Sequence, residues 1–159
     1  MTRFDLLPSL AAGGHLAVTE SELVDWGVRL GRQIDPPLTI TLDGDLGAGK
    51  TTLVQAICRG YGVTEEVTSP TFALVHTYDA PKSPVHHIDL YRLSQMKDLQ
   101  NIGWDDLVQS DALLLIEWPD RAGQLLPPHI PIQLRHIADD ATRRVLYAGG
   151  NVGFQPGER

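Results

Sequence analysis

Residues 38–52 read LTITLDGDLGAGKTT. A short β-rich run passes through three glycines into a lysine and two threonines. No hydrophobic core calls for that composition. The residues Gly44-Asp45-Leu46-Gly47-Ala48-Gly49-Lys50-Thr51 fill every required position of G-x-x-x-x-G-K-[ST]. Glycines let the backbone curl with its N–H groups inward, which is how a loop surrounds phosphate oxygens. Lys50 then reaches the β- and γ-phosphates, and Thr51 offers a hydroxyl to Mg²⁺. A helix starting here adds its positive N-terminal end. The motif requires a strand before it and a helix after it, and both are present.

Local patterns place the other elements. Thr19 and Glu22 have capping-box spacing, with Leu23, Trp26 and Leu30 on one face behind them, which predicts a helix over 20–32 ending near Gly31. KTTLVQAICRG puts Leu53, Ile57 and Gly60 on one side of a second helix, with Gly60 and Gly62 as its stop signals. FALVHTY (72–78) and PVHHIDL (84–90) flank the turn-rich DAPKS and read as an antiparallel hairpin. MKDLQNIGWDDLV is at least partly helical. ALLLIEW (112–118) is the near-continuous apolar run of a strand buried on both faces. IPIQLRHI and TRRVLYAG form a second hairpin around IADDA. Residues 1–12 and 150–159 read as loose tails on a single domain. Strands that alternate with helices and later pair as hairpins imply a mixed α/β sheet.

Composition narrows the function. The 159 residues suit one domain, and 42% hydrophobic with 21% charged residues fits a globular core. A net charge of −7 gives no general attraction to phosphate backbones, which disfavours autonomous nucleic-acid binding. Cys58 is the only cysteine, so no intrachain disulfide forms. The N-terminal residues lack a signal-peptide core, and no apolar run approaches the ~20 residues of a membrane span. The expectation is a cytoplasmic protein.

A phosphate cradle needs a further carboxylate for the metal and an activator for water. Asp89, after VHHI, and Glu117, after ALLLI, both stand at the carboxyl ends of strands, where open α/β sheets bind ligands. Either suits the metal-side acid, and either also suits a solvated strand end. The segment TSPTF (68–72) reads as a loop that senses the γ-phosphate or as a strand-entry turn pinned by Pro70. His86 and His87 point to opposite faces of a strand, which argues against a shared metal. Trp118 walls the pocket or ends a buried strand. Cys58 reads as core. Arg143 and Arg144 read as a solvated strand edge, with one of them in reach of a phosphate as the alternative.

Taken together, GDLGAGKTT, TSPTF, HIDLYRL and LIEWPDR, in this order and spacing, resemble the TsaE (YjeE) family from about residue 16 to 147. The family comprises small bacterial P-loop ATPases required for the threonylcarbamoyl-adenosine modification of tRNA. The resemblance implies a P-loop nucleotide-binding fold: a mainly parallel central sheet with antiparallel flanking strands and helices on both faces. It implies that Asp45, Leu46, Gly47, Ala48, Gly49, Lys50, Thr51 and Thr52 bind ATP or ADP, and that Thr51 and Glu117 hold Mg²⁺. Asp89 matches the acid needed for hydrolysis, and Ser69-Pro70-Thr71 match the switch-like loop. Trp118 matches a tryptophan near the nucleotide, and Thr19 and Glu20 align with a segment near the nucleoside. Arg143 falls where members often carry a Gly-Arg pair, with Thr142 in place of the glycine. The implied partners are TsaD, which transfers the threonylcarbamoyl group, and TsaB; tRNA is engaged only through them. The chain alone is expected to be a monomer.

Other classes fit less well. A small-molecule kinase needs an Arg-rich lid, and only Arg121 lies between Glu117 and Arg135. A GTPase needs N/T-K-x-D, which is absent. A non-catalytic nucleotide-sensing scaffold would keep the loop and lack a working acid, against which Asp89 and Glu117 argue.

Overall fold

The computed structural model describes residues 10, 13–70 and 74–149. Its centre is a sheet of β1 (His15–Thr19), β2 (Leu38–Gly44), β3 (Val75–Tyr78), β4 (Val85–Asp89), β5 (Leu113–Glu117), β6 (Ile130–Ile137) and β7 (Asp140–Ala148), in the order β1-β7-β6-β2-β5-β4-β3. The middle four strands, β6-β2-β5-β4, run parallel. The joins β3–β4, β6–β7 and β1–β7 are antiparallel. The sheet is therefore mixed, which corrects the expectation of a mainly parallel one. The reason is chain length: the connections after β3 and β6 are too short for a crossover, so those pairs close as hairpins. Both hairpins read from the sequence are present. Strand β1 had no sequence signal of its own; it is a five-residue edge strand defined by its pairing with β7.

β5 is buried at every position, and its alternation divides the interior. Leu113 and Leu115 face one cluster with Leu53 and Ile57 of α2 (Lys50–Tyr61) and Leu23 and Trp26 of α1 (Glu20–Gln33). Leu114 and Ile116 face the other, with Leu99 from the 3₁₀ segment Met96–Ile102 and Trp104 from α3 (Trp104–Gln109). Helical structure thus covers both faces of the sheet.

α1 starts with the expected capping box: Glu22 N–H donates to Thr19 Oγ1 (3.3 Å) and Thr19 N–H to Glu22 Oε1 (3.1 Å). Gly62, at φ 105°, caps α2. Gly31 and Gly60 do not end their helices. They lie inside α1 and α2, where the two backbones touch: a methyl group on Gly60 would meet Val28 O, and one on Gly31 would meet Ile57 O. These glycines allow close approach, which is the tertiary use that a stop-signal reading misses. The expected loose tails, 1–12 and 150–159, lie outside the described residues apart from Leu10.

Candidate functional site

Strand β2 ends at Gly44, and the chain turns through residues 45–49 into α2. Gly47 (φ 77°) and Gly49 (φ 109°) adopt left-handed backbone conformations that a side chain would strain. A cleft of about 330 Å³ opens over this turn. Gly47, Gly49, Lys50, Thr51 and Thr52 line its floor, with the exposed Leu46 at its rim. Ser69, Asp89, Glu117, Trp118 and Tyr91 complete the walls.

Register explains the convergence. Strands β2, β5 and β4 are parallel neighbours, so their carboxyl ends lie side by side: Leu42 pairs with Glu117, and Glu117 with Asp89. Both acids lie where α2 begins. Lys50 is 7% exposed, and its Nζ donates to Gly44 O and to Asp45 O (3.2 Å), bracing the loop from inside. Its Nζ also sits 4.4 Å from the centre of the Trp118 ring. Burial lowers the Lys50 pKa, and the charges of Glu117, Asp43, Asp89 and Asp45 work against that shift.

Asp89 is half-buried. Desolvation raises its pKa above its ordinary value. The Tyr91 N–H, which donates to Asp89 Oδ1 at 3.0 Å, opposes the rise, Glu117 adds to it, and His87 and Lys50 oppose it. Glu117 is 3% exposed, and His87 Nε2 donates to its Oε2 at 2.6 Å. Thr51 Oγ1 and Ser69 Oγ lie 3.0 Å apart, so Ser69 is tied to the first turn of α2.

Trp118 is the only non-glycine with positive φ (56°) among the described residues. That conformation costs roughly 1–2 kcal/mol for an L-residue. It turns the chain sharply off β5 and sets the indole against Tyr91, with ring centroids 4.9 Å apart.

Some expected site residues stand apart. Glu20 and Arg143 are both exposed, and neither lines the cleft. Asp45 contributes its carbonyl, which accepts from Lys50 and from Ala48 N–H, while Ala48 is buried beneath the loop. Thr71 lies outside the described residues. Between the two adjacent arginines, Arg144 is the one that reaches the loop: a Cβ on Gly49 would lie 2.9 Å from its Nη1. Arg143 faces away because strand neighbours alternate. Beside Arg144, His136 Nε2 donates to Leu46 O at 3.3 Å. Sequence reasoning missed His136, Tyr91 and the pairing of His87 with Glu117. Of these, only Tyr91 carried a signal, being two residues beyond Asp89.

A glycine loop between a strand and a helix, with lysine, hydroxyls and two strand-end acids around one cleft, defines the site of this mixed α/β protein. A family model described as "Threonylcarbamoyl adenosine biosynthesis protein TsaE" matches residues 17–145, and the chain belongs to that family. It is 37% identical over 115 residues to the tRNA threonylcarbamoyladenosine biosynthesis protein TsaE of Treponema pallidum, covering 72% of this chain and 84% of that one. The protein of the same name from a Nostoc species is 37% identical over 132 residues, covering 81% and 80%. The crystal structure of Bacillus YdiB superposes with a TM-score of 0.72 at 25% identity, covering 88% of this chain and 86% of that one.

Proposed function

We propose that this chain binds ATP with Mg²⁺ in the cleft and hydrolyses it in support of threonylcarbamoyl-adenosine synthesis on tRNA, acting on the TsaD–TsaB transfer complex. The observation that supports this best is the meeting of Lys50, Thr51, Asp89 and Glu117 at one turn, from two parallel strand ends and a helix start. The donor set suits a hard cation. Among the described residues no three His, Cys, Asp or Glu side chains form a metal cage. Mg²⁺ in nucleotide sites takes one or two protein oxygens and completes its shell with phosphates and water. Thr51 and Glu117 are the protein oxygens that would hold it, and the cation would neutralise charge on the β- and γ-phosphates.

In this reading the chain's own groups divide the work. Loop N–H groups and Lys50 hold the phosphates, and Arg144 adds charge from the sheet side. Asp89 orients a water in line with the γ-phosphorus and takes its proton as the new P–O bond forms and the β–γ bridging bond breaks, releasing ADP and inorganic phosphate. Its raised pKa brings it nearer to the range useful for a base. Ser69 is hydrogen-bonded to Thr51, whose hydroxyl would bind the cation. Leu46 (67% exposed) and Tyr91 (41%) put apolar surface on the cleft rim. A partner docked over them would exclude water from the cleft, so hydrolysis is slow alone and faster in the complex. The chain's net charge of −7 fits tRNA contact through the partners. No helix among the described residues is long and apolar enough to cross a membrane, and the cytoplasm, where tRNA is modified, is the proposed location.

The test is phosphate release by wild type and Asp89→Ala, each alone and with TsaD–TsaB. Stimulation of wild type and its loss in Asp89→Ala, with ATP binding retained, is the expected result. Wild type that binds ATP and releases no phosphate under any condition would instead be a nucleotide-sensing scaffold.

A further inference from the structure

His87 is a histidine with no solvent exposure, and its placement is specific. It pairs in register with Leu115, so Glu117, two residues further along β5, is its diagonal neighbour on the same face. That face is the α2 side of the sheet, shared with Val85 and Leu115. Adjacent His86 turns to the other side, where its Nδ1 meets Thr77 Oγ1 at 2.9 Å. Nε2–H of His87 donates to Glu117 Oε2 at 2.6 Å, and among the described residues Nδ1 has no hydrogen-bond partner. Among the described residues, His87 is the only side chain hydrogen-bonded to the Glu117 carboxylate.

A buried carboxylate on a three-bond side chain has rotational freedom unless something fixes its plane. Lys50 does not fix it, because its Nζ is bonded to loop carbonyls. His87 occupies one oxygen and leaves Oε1 for the cleft. We infer that His87 is a positioning residue: it sets the orientation in which Glu117 offers Oε1 to a nucleotide-bound divalent cation. The inference rests on the reading of the cleft as a Mg²⁺–nucleotide site. Hydrogen-bonded partners of ligating groups typically control metal affinity by ~10–100-fold.

The experiment uses the full chain with ADP, which is not consumed, and Mn²⁺ as an electron-spin-resonance probe of the cation. ADP affinity in EDTA is measured alongside. His87→Leu fills the space with no donor, and His87→Gln restores an N–H at a similar reach. The expected result is that ADP affinity in EDTA is unchanged in both, Mn²⁺ affinity of the ADP complex falls ~10-fold in His87→Leu, and His87→Gln recovers most of it. Equal Mn²⁺ affinity in wild type and His87→Leu, or equal loss in both variants, overturns the inference. A wild-type chain that binds no ADP overturns the cleft reading itself. A second measurement needs no variant and decides the matter if His87→Leu does not fold. The His87 Nε2 proton resonance of wild type should shift when Mg²⁺ is added to the ADP complex and stay fixed when ADP is added in EDTA. A resonance indifferent to Mg²⁺ overturns the inference.

Discussion

Replacing Gly60 by alanine pits helix propensity against packing, and the structure decides which wins. In a free helix alanine is favoured over glycine by about 1 kcal/mol. In α2 the added Cβ would stand 2.8 Å from Val28 C and 3.0 Å from Val28 Cα, and closer still to Val28 O. Every one of these atoms is backbone of α1, so no rotamer change relieves the contact. The helices must separate by roughly 1 Å to restore ordinary van der Waals spacing. That separation opens the seam where Leu23, Trp26, Leu30, Leu53 and Ile57 are buried. Overpacking in a close-packed core costs ~1–3 kcal/mol, and an unyielding backbone obstacle puts Gly60→Ala at the upper end. The net effect is a loss of about 2 kcal/mol, or a fall in Tm of roughly 4–8 °C for a domain of this size. Circular dichroism melts measure it directly. Gly31→Ala, which meets Ile57 O and lies 2.8 Å from Tyr61 N, should behave alike. The double variant should lose less than the sum, since helices already apart admit the second methyl cheaply. A Tm equal to or above wild type for Gly60→Ala would show that propensity wins and that the helices do not cross this closely.

Three further outcomes are expected. Lys50→Ala removes charge-assisted bonds typically worth about 1.5–3 kcal/mol, so calorimetry should show ATP binding weakened by roughly 10–150-fold; equal affinity would refute the site. Asp89 has a folded pKa above its ordinary value, so the native state binds more protons than the unfolded chain between the two, and its charge lowers stability at neutral pH. Asp89→Asn should therefore melt higher than wild type at pH 7, with the gap closing as the pH falls below the ordinary carboxylate value; a lower Tm at pH 7 would contradict the burial argument. Burial pushes the Cys58 thiol up to about 12, so native protein at pH 8 should resist aromatic disulfide reagents and react only on unfolding in urea. Labelling of the native chain within minutes would place Cys58 outside the core.

What the sequence determined by itself is local. The glycine loop carries its own backbone conformation and its lysine within one turn, so the loop, the strand before it and the helix after it follow from residues 38–61. The capping box at Thr19 and Glu22 and the two hairpins are likewise written within a few residues. The candidacy of Asp89 and Glu117 was legible as well, because strand ends can be read from where apolar runs stop. Tertiary structure decided what depends on pairing between distant segments. β1 is a strand because β7 lies beside it, and the sheet is mixed because hairpins flank a parallel centre. Arg144 rather than Arg143 faces the loop because register and alternation choose one neighbour over the other. Gly31 and Gly60 looked like stop signals, yet they serve a helix crossing that neither helix encodes alone. His87 and Glu117 are thirty residues apart, and only the parallel register of β4 on β5 brings an imidazole and a carboxylate within a hydrogen bond in the dry interior. Sequence fixes torsions and alternation over short range; which side chains share a buried volume is set when the strands choose their neighbours.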